Sequence, residues 1–195
     1  MDILDLYGRS LDDFVARVRA VGDAQWAAPT PCADWDVRQL VNHVVYEDRW
    51  TVPLFAGQTI ADVGDRFEGD LLGADPVASA AEAADAARAA VAEPGALDRT
   101  VQLSFGPTPA TEYAMQLFAD HVVHGWDVAV AIGADPALDP DCVRALAGWF
   151  AEREDGYRQA GAVGPRADVP PGASEQDRLL AAFGRSPSWQ PSTTG

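Results

Sequence analysis

Apolar residues recur at three- and four-residue spacing from the first turn of the chain: Leu4, Tyr7, Leu11, Phe14, Val15, Val18 and Val21. That spacing predicts an amphipathic helix from Asp2 to about Val21. A loop stiffened by Pro29 and Pro31 follows, and Asp36 with Gln39 three residues on reads as a capping box. The box opens a second helix from Val37 to about Trp50, with Val37, Leu40, Val41, Val44 and Val45 as its core stripe. Residues 56–75, rich in Gly and Asp, read as a long connection. Asp75-Pro76 sets a cap before a proline at the first helical position and opens an alanine-rich third helix to Val91. Residues 98–106 alternate weakly, in the manner of a short extended segment. Thr108-Pro109 opens a fourth helix to Ile132, and Asp139-Pro140 a fifth to Tyr157. After a Pro/Gly-rich loop, Ser174 with Asp177 caps a short final helix ending near Phe183. Five or six helices with almost no strand pattern predict an all-α, up-and-down bundle with long crossovers.

Composition narrows the function. At 195 residues, 48% of them apolar, the chain is expected to form one helical-bundle domain over 1–185 with a mobile tail over 186–195. A formal charge of −16 argues against nucleic acid and anionic membranes, since both are polyanions. No segment approaches the roughly 18–20 continuous apolar residues of a membrane span, and no signal peptide is apparent at the start. Two cysteines, Cys32 and Cys142, are too few for a disulfide framework, so a reducing cytoplasm is the expected compartment.

The fourth helix carries the candidate chemistry. Ala114, Phe118, Val122, Trp126, Ala129 and Ile132 form one broad apolar face, and Leu117, Val123 and Val130 extend it almost all round, which marks a buried helix. Between Leu117 and Val123 runs a polar strip of Asp120, His124 and Asp127, within about 60° of arc. On the second helix, Glu47 lies about 20° and His43 about 60° from Leu40, on the shoulder of the core stripe. All three histidines of the chain therefore fall on these two helices. His43, Asp120 and His124 would make three ligands to a divalent metal and leave a position open, as catalytic zinc sites do. His121 points about 60° away from His124, toward the apolar side. Asp120 and His124 hydrogen-bonded without a metal satisfy the same pattern. Cys32 reads as a packing residue, Trp35 and Trp126 as core or pocket wall, and Glu152–Asp155 as a solvated helix face. Asp127 suits either the orientation of a ligand histidine or a pair with an arginine.

The spacing Asp120-x3-His124-x2-Asp127 resembles the Glu-x3-His-x2-Asp motif of the mycothiol-dependent maleylpyruvate isomerase N-terminal domain, within the DinB-like superfamily of metal-binding four-helix bundles. Pro29-Thr-Pro-Cys-Ala-Asp-Trp-Asp-Val-Arg-Gln-Leu-Val-Asn-His43, the run His124-Gly-Trp-Asp127 and the closing Asp177–Arg185 are similar to an actinobacterial branch of it. The resemblance implies a DinB-like four-helix bundle with extra short helices. It also implies a divalent metal, zinc first, on His43, Asp120 and His124. Asp120 is one methylene shorter than the family's glutamate, which would shift the metal, require a bridging water or pass the role to His121 or Glu47.

The function implied is a thiol-dependent transferase or isomerase. In it a low-molecular-weight thiol such as mycothiol attacks a small electrophile. No separate general base can be named. The expected partners are that thiol and that electrophile, and a homodimer is compatible. A non-catalytic, metal-stabilised binding module is the alternative. The isomerase itself carries an additional C-terminal domain, whereas here little more than a short tail follows the bundle, so a relative of the isomerase is expected.

Overall fold

The apolar stripes dictate which helices meet. The computed structural model describes residues 2–191. In chain order they form α1 (Ile3–Arg19), α2 (Val37–Phe55), the single turn α3 (Ile60–Val63), α4 (Pro76–Val91), a hairpin of β1 (Thr100–Leu103) and β2 (Gly106–Pro109), α5 (Ala110–Ile132), α6 (Pro140–Ala151), α7 (Glu154–Gln159) and α8 (Glu175–Ala182). The fold is all-α apart from this one hairpin, as the patterning predicts. The four long helices α1, α2, α4 and α5 make the bundle. α1 lies beside α4 and α5, and α2 lies beside the same two. Short helices α6 and α8 pack together against the α5 side. Among the described residues no helix is long and apolar enough to cross a membrane.

The caps are those the sequence specifies. Asp36 accepts from the Gln39 amide at 2.8 Å while Gln39 Oε1 accepts from the Asp36 amide at 2.9 Å. Asp75 caps α4 ahead of Pro76, and Ser174 with Asp177 forms the box that starts α8. Close approach is made by small residues. Ala80, Ala83, Ala84 and Ala87 of α4 are buried, and a Cβ on Gly8 of α1 would meet Arg88 Nη1 of α4 at 2.8 Å.

Four local features depart from the sequence reading. α2 continues past Trp50 to Phe55, through Pro53, because Leu54 and Phe55 are buried and hold the last turn to the core. Thr108 and Pro109 belong to β2, which pairs antiparallel with β1 from Thr100↔Pro109 to Leu103↔Gly106. The fifth helix is two helices, because Arg153 Nη1 takes the Trp149 carbonyl at 2.8 Å. In an α-helix that carbonyl would bond the Arg153 amide, which here turns to Phe150 O at 2.8 Å. Glu152–Asp155 is therefore a helix junction: Glu152 and Asp155 are solvated as the sequence suggests, whereas Arg153 is paired with Glu112, and Glu154 holds Arg158 and Arg166.

The fourth departure lies after α8. The mobile tail expected over 186–195 includes Trp189, which is partly buried and packs against the core; residues 192–195 lie outside the described residues. Gly184 makes the bend into this segment at φ 76°, and a Cβ there would meet the Pro165 carbonyl oxygen at 3.2 Å. Gly184→Ala is expected to lower folding stability by about 1–2 kcal/mol, the cost of a left-handed residue with a side chain. Urea unfolding measures it; an unchanged midpoint would mean that the turn relaxes freely.

Candidate functional site

Since α2 and α5 are neighbours, His43 faces the polar strip of α5. His43 Nε2 lies 4.0 Å from Asp120 Oδ2, and the His43 and His124 rings meet edge to face with centroids 5.2 Å apart. One ligand atom from each of His43, Asp120 and His124 lies within 4.8 Å of the others, a group that could hold a metal ion. Metal–ligand bonds of 2.0–2.2 Å in a tetrahedral shell put donors about 3.3–3.6 Å apart. Small side-chain movements would close the difference. Burial, aided by His124 and opposed by Asp120, pushes the His43 pKa down to about 4. The imidazole is thus neutral, the form that ligates. Trp35 lies over both rings, with centroids 4.7 Å from His43 and 6.1 Å from His124. It is a pocket wall, while Trp126 is core.

Behind the histidine stands a built support. Asp127, fully buried, takes His124 Nδ1 at 3.0 Å, which leaves Nε2 as the free ring nitrogen. Arg185 grips the same carboxylate through Nε at 3.0 Å and Nη2 at 2.8 Å. Burial raises the Asp127 pKa, but the bonds from His124 and Arg185 outweigh it and hold the carboxyl below its usual range. Asp127 thus both fixes the His124 ring and pairs with an arginine.

Arg185 also resolves a competing group. Cys32, His124 and Asp127 are a second set of possible ligands. Yet Arg185 Nη2 sits 2.9 Å from Cys32 Sγ and 2.8 Å from Asp127 Oδ2, so a guanidinium already supplies the positive charge there. Burial, then the Asp127 charge, pushes the Cys32 thiol up to about 12. It is a thiol and not a thiolate, in keeping with the packing role read from sequence. Thr30 holds its loop in shape by accepting from the Cys32 amide at 3.1 Å and donating to the Trp35 carbonyl at 2.8 Å.

His121 lies elsewhere. Its ring is fully buried, with Nδ1 2.6 Å from Leu117 O and Nε2 3.1 Å from Asp48 Oδ1. The Asp48 contact is a charge pair without hydrogen-bond alignment. Burial lowers the His121 pKa, but Asp48 more than restores it, so the net direction is upward. Tyr7 and Phe14 meet the ring edge-on. Glu47 stands outside both ligand groups among the described residues; burial, with Asp120 and Asp48 nearby, pushes it up to about 8.

His43, Asp120 and His124 open into a cavity of about 1120 Å³. Its other walls include Phe105 at the hairpin tip, Tyr157 of α7, and Phe183 and Arg185 beyond α8. Sequence reasoning gave none of these a role. Asp48 could have been found: it falls about 20° from Val41 on the core stripe, where a carboxylate needs a buried partner.

The model of the mycothiol maleylpyruvate isomerase N-terminal domain matches residues 7–129. That span carries His43, Asp120, His124 and Asp127, while Tyr157, Phe183 and Arg185 come from the chain beyond it. Two uncharacterized proteins from two strains of Mycobacterium tuberculosis are each 32% identical over 190 residues, covering 95% of this chain and 99% of the relative. No solved structure matches. The bundle, the two motif blocks in contact across α2 and α5, and the match to the family model agree: the chain belongs to the mycothiol maleylpyruvate isomerase N-terminal domain family.

Proposed function

We propose that this protein binds one divalent transition metal, zinc first, through His43, Asp120 and His124, and uses it in thiol-dependent transfer to, or isomerisation of, a small electrophile. The observation that carries the reading is the convergence of two imidazoles and a carboxylate within 4.8 Å of one another at the edge of a cavity of about 1120 Å³. The donor set fits a borderline-soft cation with an open position. When bound, the metal would lower the pKa of a thiol and favour the thiolate.

The protein's own groups orient and enclose. Asp127 fixes the His124 ring so that Nε2 faces the site, and Arg185 holds Asp127 in place. Trp35 packs beside both imidazoles and walls one side of the site. The thiol would be a small cytoplasmic one of the mycothiol kind, in keeping with the family, and the protein would work in the cytoplasm, where such thiols stay reduced. An open cavity beside the ligands disfavours a purely structural metal, which would be enclosed by a fourth protein ligand.

Elemental analysis of tag-free protein is expected to find close to one equivalent of zinc or a similar metal. Conjugation of the thiol to an electrophile should stop on chelation and return with zinc. Protein that takes up no divalent metal at micromolar concentration would overturn the reading.

A further inference from the structure

We infer that the electrophile taken by this cavity is an uncharged, ring-bearing molecule and not a carboxylate; the inference rests on the thiol-to-electrophile reading above. Four aromatic rings reach the cavity from four separate parts of the chain: Trp35, Phe105, Tyr157 and Phe183. Phe105 is 72% exposed at the hairpin tip, an unusual position for a phenylalanine unless something is to be covered. Flat apolar faces around an open space suit another ring, by offset or edge-on contact.

Charge decides the rest. The charged residues lining the cavity are Asp34, Asp120, Glu152, Arg153 and Arg185. Neither arginine is available to an incoming anion. Arg153 gives Nε and Nη2 to the two carboxylate oxygens of Glu112 at 2.8 and 3.0 Å, and Glu152 lies 3.8 Å from its Nη1. Arg185 is held by both oxygens of Asp127. Such bidentate pairs are the strong form of this contact, and a substrate carboxylate would have to displace one. Three carboxylates then face the cavity in a chain of net charge −16. A divalent metal held by Asp120 and two neutral imidazoles would be brought to zero net charge by one bound thiolate, and Asp34 and Glu152 remain. An anion entering here meets repulsion and finds no unpaired cation among the lining residues. Maleylpyruvate, a dicarboxylate, is the wrong charge for this cavity, and an uncharged ring is the right one.

The test compares 2-naphthamide with 2-naphthoate, the same ring system differing by one charge, on the full chain kept in chelator so that neither probe can ligate a metal. Titration calorimetry at low salt is expected to show the amide binding at least tenfold more tightly, with the gap narrowing as salt screens the carboxylates. Glu112→Gln, which removes the charged bidentate partner of Arg153 and leaves only the longer Glu152 contact, should strengthen naphthoate binding at least threefold and leave the amide unchanged. Naphthoate binding as well as the amide to the unaltered protein, or neither ring binding, overturns the inference. Zinc uptake and thiol turnover are read on separate samples. Their failure with amide preference intact removes the proposed function alone, and the reverse outcome removes only the substrate class.

Discussion

Asp48→Ala is expected to cost about 3–5 kcal/mol of folding stability, the usual penalty for breaking a buried ion pair from one side. Asp48 and His121 are 1% and 0% exposed, and Asp48 Oδ1 stands 3.1 Å from His121 Nε2. Removing the carboxylate leaves the imidazole between Tyr7 and Phe14 with no charge to offset its own. The loss comes from the orphaned partner and not from the worth of the pair. A double replacement, Asp48→Leu with His121→Phe, should therefore recover most of it, to within about 1–2 kcal/mol of the original protein. Urea unfolding of the two single variants and the double variant, each with chelator present, gives the coupling directly. Two small single effects that simply add would show that the pair is not coupled. Zinc uptake by the folded double variant should be unaffected, since neither residue belongs to the proposed ligand set.

How much of this was legible in the sequence depends on how far each feature reaches along the chain. α1, α2 and α5 were plain, because each carries an apolar stripe of two and a half turns or more and a helix reports its buried face locally. The meeting of His43 with Asp120 and His124 was legible for the same reason: each lies on the shoulder of such a stripe, so packing α2 against α5 must bring them close. The break at Arg153 was not, since it depends on a side chain capping Trp149 while paired with Glu112, on another helix. Arg185 was still less so. It follows the last helix with no periodic neighbour, and its value comes only from the Gly184 turn that carries it back to Asp127. The second strand of the hairpin was hidden by Pro107 and Pro109, which cannot donate to a ladder and read as loop. Local pattern thus placed the candidate ligands on two facing helices, and the long-range closure of the cavity had to come from the three-dimensional fold.

That division sets the second large effect. His124→Ala is expected to abolish zinc binding at micromolar metal and with it all thiol-dependent turnover, since two of three protein ligands no longer close a shell. Asp127→Asn should be milder but still large, a loss of about 10–100-fold in metal affinity. Asparagine removes the charge that steadies the His124 Nδ1 proton, and its amide can present an N–H where a carboxylate only accepts. Competition with a chromophoric chelator measures both affinities, and the unfolding midpoint of each variant in chelator separates lost metal from lost fold. Cys32→Ser distinguishes the two ligand groups that share His124. If the ion sits on His43, Asp120 and His124, the serine variant keeps its zinc and His43→Ala loses it. If the opposite is found, the metal lies against Cys32 and Asp127, and Arg185 must swing away from both to admit it. Arg185 holds both groups at hydrogen-bond distance, so that movement would leave a buried guanidinium without its partners, which is the physical reason to expect the first outcome.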